Sequence, residues 1–237
     1  MAKHPLQQLA SPSRQVSMLL HTAGIISFLA SFRFLANWET PMSTAFGGHY
    51  QFLTIIGLAL SLCTFLIGLI SDLTLSPTLF QAKNYLAVCS TPLEVLITIL
   101  FWGLCAIDKN LVFPPDSELD FLPNFGFHAA PGLFLTLDLL LLSPPWTVNS
   151  LATVALSQTL AFLYWFWIEY CYRQNGWYPY PIFDLLNTWQ RITLFAFSAL
   201  LMTGSTMALK WLYGGVNGVE HVREGVIGVT ATIRKRQ

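Results

Sequence analysis

Apolar residues fall into six long runs separated by short polar segments. The runs cover about residues 16–35, 52–70, 86–107, 127–142, 150–170 and 192–212. A helix of about 20 apolar residues crosses a bilayer, so each run predicts a membrane span. The fourth is short and closes on Ser143-Pro144-Pro145. The first is long and lacks a small-residue cleavage site after it, which argues against a removable signal. Pro, Gly, Asn and charged residues gather in the linkers 37–48, 71–83, 108–124 and 173–190. The pattern predicts an all-α, polytopic bundle of six transmembrane helices, with residues 1–237 forming a single transmembrane domain and no internal repeat.

Polar positions inside the runs refine this picture. Thr54, Gly57, Ser61, Thr64, Gly68 and Ser71 recur at spacings of three and four, so they share one face of the second helix. A stripe of small residues reads as a packing face where backbones approach closely. Thr54 stands at its wet end. In the fourth run Asp138 follows His128 by ten residues, which separates them by about 80° and about 15 Å on a helix, too far to touch. Glu94 and Asp138 lie toward the inner side and read as hydrogen-bonding groups between helices. His4, His49 and His221 fall in tail or loop segments, and His21 near the inner end of the first span.

The second and fourth spans both begin on the outer side, which sets Thr54 and His128 at similar depth on one face of the membrane. A hydroxyl and an imidazole at equal depth are the minimal parts of a nucleophile–base pair. Trp102, Asp108, Glu169, Tyr170 and the segment 177–181 share that side, and one of the acids could orient His128 as in a triad.

Composition narrows the classes. Hydrophobic residues make up 54% of the chain and charged residues 10%, too few to cover a soluble surface. The net charge is zero, which argues against nucleic acid as a partner. With the N-terminus inside, Lys3, Arg14, Lys83, Lys210, Arg223, Arg234, Lys235 and Arg236 face the cytoplasm and Arg33, Lys109, Arg173 and Arg191 face out. This bias predicts that both termini are cytoplasmic. Cys63, Cys89, Cys105 and Cys171 are scattered and read as small core residues. No His cluster, GxSxG elbow, HExxH helix or phosphate-binding glycine loop occurs, so no metal or cofactor is expected. Gly47-Gly48 reads as a turn.

Four segments carry a family resemblance. Gly47-Gly48-His49-Tyr50-Gln51-Phe52-Leu53-Thr54 resembles the GGxxKFLT segment of the androgen-induced and androgen-dependent membrane proteins. Phe101-Trp102, Asp108 and Phe113-Pro114 resemble that family's FW…D…YP run. Asn124-Phe125-Gly126-Phe127-His128 resembles its NHGMH element, with Asp138 where the family has an acid. Gly176-Trp177 through Tyr180-Pro181 resembles its GxWxYP loop. Members of this family are atypical threonine hydrolases of fatty acid esters of hydroxy fatty acids. The resemblance implies Thr54 as nucleophile and His128 as the catalytic histidine. It also draws Gly48, Gln51, Trp102, Asp108, Asn124, Asp138, Glu169 and Tyr180 into the pocket or its support. The chain departs from the family at Gln51, where a basic residue is usual, at Phe125, which replaces a His, and at Ala129-Ala130, which replace Thr-Thr. These changes bear on substrate range. The implied partners are a lipid ester and membrane lipids, in the endoplasmic reticulum or plasma membrane. A transporter would instead depend on Glu94, Asp138 and Glu169, and a non-catalytic lipid-binding protein would not depend on Thr54.

Overall fold

The computed structural model describes residues 14–113 and 119–218. Lys3, His4, Pro114, His221, Arg223 and the cluster Arg234-Lys235-Arg236 lie outside the described residues. The order is α1 (Arg14–Asn37), α2 (Pro41–Thr44), a 3-10 turn (Gly48–Gln51), α3 (Leu53–Thr74), α4 (Pro77–Ile107), a second 3-10 turn (Lys109–Leu111), α5 (Phe121–His128), α6 (Ala130–Leu142), α7 (Ser150–Asn175), α8 (Ile182–Leu185) and α9 (Thr188–Asn217). Among the described residues there is no strand. Five helices (α1, α3, α4, α7 and α9) are long and apolar enough to cross a membrane. The pair α5–α6, bent by 42°, is long and apolar enough when taken together to make a sixth.

The ends follow local chemistry. The Ser76 hydroxyl accepts from the Leu79 N–H and Pro77 opens α4, where its missing N–H costs nothing. Asn149 and Asn187 cap α7 and α9 in the same way, and Gly176 closes α7 in the left-handed region.

Two spans differ from expectation. The fourth is not one helix from residue 127 to 142. It starts at Phe121 and breaks at Ala129. Pro131 has no N–H to return to the Phe127 carbonyl, and its ring crowds that turn. The third begins at Pro77 rather than near residue 86, so the linker 71–83 shrinks to Leu75 and Ser76. Lys83, counted as a cytoplasmic loop charge, is fully buried within α4. The core reading holds for Cys171 alone; Cys63 is exposed, and Cys89 and Cys105 are partly buried.

Helix α3 packs between α1 and α4. Every member of its small-residue stripe is buried. A Cβ on Gly57 would meet Glu94 Oε1 at 2.7 Å, and one on Gly68 would meet His21 Nε2 at 2.6 Å. Ser61 donates to Glu94 Oε1 (2.9 Å), and Thr64 pairs with Ser90 (3.3 Å). In lipid, where apolar side chains gain little by leaving solvent, such close packing and interhelical hydrogen bonding hold a bundle together. Helix α7 packs on α9, which in turn rests on α4 and α6. The α7–α9 pair therefore stands off from α3, and a cavity fills the gap.

Candidate functional site

The site forms where α3 begins. Gly47 and Gly48 both have positive φ (83° and 50°), which lets the chain turn tightly into the 3-10 segment. A Cβ on Gly47 would lie 2.9 Å from Cys171 Sγ and 3.0 Å from Gln51 Cγ. Gln51 is fully buried. Its Nε2 donates to the Gly48 carbonyl (3.1 Å) and its Oε1 accepts from Asn175 Nδ2 (3.1 Å). Gly48 and Gln51 thus fix the approach to Thr54.

Thr54 is the second residue of α3, where N–H groups lack intrahelical partners. Two tyrosines close this helix end. The Leu53 N–H donates to the Tyr164 hydroxyl (3.2 Å), which donates to the Gln51 carbonyl (2.9 Å). The Tyr180 hydroxyl stands beside Thr54, the Tyr164 hydroxyl and the backbone N–H groups of Leu53 and Thr54. Burial pushes the Tyr180 phenol above its ordinary value, so it stays a neutral donor.

His128 ends α5 and is buried. Its Nδ1 lies 3.1 Å from the Asn124 carbonyl oxygen. A carbonyl only accepts, so Nδ1 carries the proton and Nε2 keeps its lone pair. The Phe101 ring stacks flat on the imidazole, and Phe127 packs edge-on at 6.2 Å.

Two cavities meet at this point. The first, about 350 Å³, lies between the α3–α4 pair and the α7–α9 pair. Its lining is apolar except for Thr54, Ser157, Tyr164, Tyr180 and Ser198, with the Trp167 indole at its rim. The second, about 340 Å³, is bounded by the end of α1, by α2 and by α5, and is lined partly by Glu39, Thr40, His49 and His128. Burial pushes the His49 imidazole below its ordinary value, so it is neutral at pH 7. Thr54, Phe101, Val112 and Tyr180 line both cavities and form the wall between them.

Of the ten residues selected from sequence, Thr54, His128 and Tyr180 line the cavities. Asn124 supports from behind through its carbonyl, and its Nδ2 donates to the Leu119 carbonyl (2.8 Å). Trp102 is exposed and packs edge-on to Phe101 at 5.2 Å. Asp108 caps the second 3-10 turn by accepting from the Asn110 N–H (2.9 Å). Glu169 accepts from Tyr178 (2.9 Å) and from the Trp165 indole (3.2 Å), and lies 3.7 Å from Arg191. Neither acid is bonded to His128, whose Nδ1 partner is a carbonyl instead of the carboxylate of a triad. Phe101 and Tyr164 were missed. Phe101 stood in a quoted motif, but only its flat face against His128 reveals its use. Tyr164 is one aromatic in an aromatic-rich span and gave no signal.

Asp138 belongs to the opposite end of the bundle. Lys83 Nζ donates to both of its oxygens (3.0 and 2.8 Å) and to Ser143 Oγ (2.9 Å). His21 Nε2 lies 3.1 Å from Asp138 Oδ1, and His21 Nδ1 lies 2.7 Å from Asp72 Oδ2. Ser17 donates to the same Asp72 oxygen (2.7 Å). All six side chains are buried, and they tie α1, α3, α4 and α6 together. Lone charges at the inner ends of four spans were the available clue, since an unpaired charge there is costly. Among the described residues no three His, Cys, Asp or Glu side chains gather as a metal-ligand set.

The family model described as FAR-17a/AIG1-like protein matches residues 16–214. A UPF0641 membrane protein of Schizosaccharomyces pombe is 29% identical over 206 residues, covering 86% of this chain and 92% of the relative. The androgen-induced gene 1 protein of Homo sapiens is 24% identical over 182 residues, covering 69% of this chain and 76% of its own length. The androgen-dependent TFPI-regulating protein of Mus musculus is 25% identical over 171 residues, covering 67% and 73%. No solved structure matches. The match spans all six spans, and the chain is a multi-pass membrane protein belonging to the FAR-17a/AIG1-like family.

Proposed function

We propose that the protein is an intramembrane hydrolase of fatty acid esters of hydroxy fatty acids, with Thr54 as nucleophile and His128 as base. The observation that carries the reading is the shared wall: Thr54 borders both cavities and His128 borders one of them. A threonine hydroxyl is a weak nucleophile at neutral pH and needs a base beside it. In this scheme His128 Nε2 takes the proton as Thr54 Oγ1 bonds to the ester carbonyl carbon. The tetrahedral adduct then breaks its bond to the alcohol oxygen. That oxygen takes the proton from His128, the hydroxy fatty acid leaves, and the fatty acyl group stays on Thr54. Water, deprotonated by His128, attacks the acyl carbon; this second adduct breaks its bond to Thr54 Oγ1, which takes the proton back from His128 as the fatty acid leaves. The first N–H groups of α3 are taken up by Tyr164 and by the Phe52 carbonyl, so the Tyr180 hydroxyl beside Thr54 is the donor offered to the developing oxyanion.

In this reading both termini face the cytoplasm, Thr54 faces the other side, and the protein resides in the endoplasmic reticulum or plasma membrane. The distribution of Lys and Arg supports the orientation, although Lys83 drops out of it because it is buried and paired.

The test is covalent. The purified protein is incubated with a fluorophosphonate probe and the modified residue is found by peptide mass spectrometry. Label on Thr54, lost in His128→Ala, is the expected result. A folded parent protein that takes no label and leaves the ester intact would be a lipid-binding protein instead.

A further inference from the structure

We infer that the two cavities divide the substrate: the fatty acyl arm occupies the apolar cavity between α3–α4 and α7–α9, and the arm that carries the leaving oxygen occupies the cavity beside α1, α2 and α5. This rests on the hydrolase reading and assigns a position to each half of the ester.

Three observations carry it. The linings differ in kind. The first cavity has no charged lining residue and suits a hydrocarbon chain, while the second runs past Thr40, Glu39 and His49, where a polar arm finds hydrogen-bonding groups although a terminal carboxylate also meets the like charge of Glu39. The wall is narrow and shared, so an ester bond at Thr54 sends one arm to each side. The base is also one-sided, since His128 lines only the second cavity. The departing oxygen must collect its proton from that imidazole, so the departing arm lies on the imidazole's side. Its departure empties the same cavity, and water reaches the acyl carbon past His49, Thr40 and His128. The acyl chain meanwhile stays held among Leu160, Ala161, Leu163 and Met202. Leu163 is 61% exposed, so the first cavity meets the lipid-facing surface of α7, where a chain can slide in from the bilayer.

The experiment uses the parent protein and two photoreactive esters. One carries a diazirine at the end of the acyl arm, the other at the far end of the alcohol arm. Brief turnover is followed by illumination and peptide mapping. The acyl diazirine should mark the α7 segment 160–163 or Met202, and the alcohol diazirine should mark Leu35, Met42 or Leu119. A paired substitution gives an independent readout. Ala161→Phe should lower kcat/KM at least tenfold for long acyl chains relative to short ones and leave the alcohol-arm profile unmoved, with Met42→Trp doing the reverse. Exchanged crosslinks, or crosslinks from both probes in one cavity, overturn the assignment while hydrolysis itself stands. A parent protein that turns over neither ester overturns the assignment and the hydrolase reading together.

Discussion

The phenyl ring of Phe101 lies flat on the imidazole of His128, with 3.4 Å between ring centroids and 4° between planes. With Nδ1 tethered to the Asn124 carbonyl, this face removes the remaining freedom of the ring. Phe101→Leu keeps an apolar side chain in the wall between the cavities but loses the flat surface. With the imidazole free to turn away from Thr54, kcat for ester hydrolysis should fall roughly three- to tenfold, a loss of about 0.7–1.4 kcal/mol. Steady-state kinetics in detergent checks this. An unchanged kcat would show that the ring does not position the imidazole.

The ion cluster predicts an asymmetry between single and double substitutions. An imidazole with carboxylate oxygens at both nitrogens donates from both only as the imidazolium, and the cluster then balances Asp72 and Asp138 with His21 and Lys83. Lys83→Met leaves one buried carboxylate short of a partner and should cost about 3–5 kcal/mol. Lys83→Met combined with Asp138→Leu removes the pair and should recover much of that loss. Thermal unfolding in one detergent compares them, and equal melting temperatures for the single and double variants would contradict the account.

Two glycines give a matched pair. A Cβ on Gly68 would lie 2.6 Å from His21 Nε2, whereas Gly204, inside α9, has nothing within 4 Å of the added atom. Gly68→Ala should destabilise by about 1–3 kcal/mol through overpacking. Gly204→Ala should be neutral or stabilise by up to about 1 kcal/mol, because Ala is the better helix former. The order of the two melting temperatures is the test.

Glu39 is exposed and lines the polar cavity, where no Lys or Arg stands among the described lining residues. An ester with a free carboxylate at the end of its alcohol arm therefore meets a like charge. Glu39→Gln should lower KM for such an ester by about twofold, in the range of an exposed charge pair. The effect should fade in high salt and be absent for the methyl ester. A KM that drops equally for both esters would point to shape instead of charge.

The contrast between α3 and α4 shows what the amino-acid pattern can reveal. The stripe from Thr54 to Ser71 was legible because a helix that packs on two neighbours must repeat its small residues at the helical period. The start of α4 was not legible. Lys83 lowers local hydropathy as a loop residue would, and only its partners on α6 make it an interior residue. The break at Ala129 had its cause in plain view at Pro131, but a proline near a span end is also compatible with an unbroken helix. Equal depth was read from a fourth span starting near residue 127, whereas that span starts at Phe121 and His128 is the last residue of α5; it lines a cavity with Thr54 at the α5–α6 break. The histidine's true partner was beyond reach, since a backbone carbonyl has no residue type to recognise.

Both cavities meet at the first turn of α3, whereas the far end of the bundle is closed by the ion cluster around Asp138. Helix α3 alone, with 22 residues, is about 33 Å long and covers the full hydrocarbon thickness. In the proposed hydrolase, Thr54 stands at one end of that span, so an ester carbonyl held at the membrane interface meets it from the leaflet on that side. On that reading, with substrate confined to the other leaflet of a vesicle, turnover runs no faster than the lipid's own flip-flop, so membrane asymmetry would act as a control without any regulatory site.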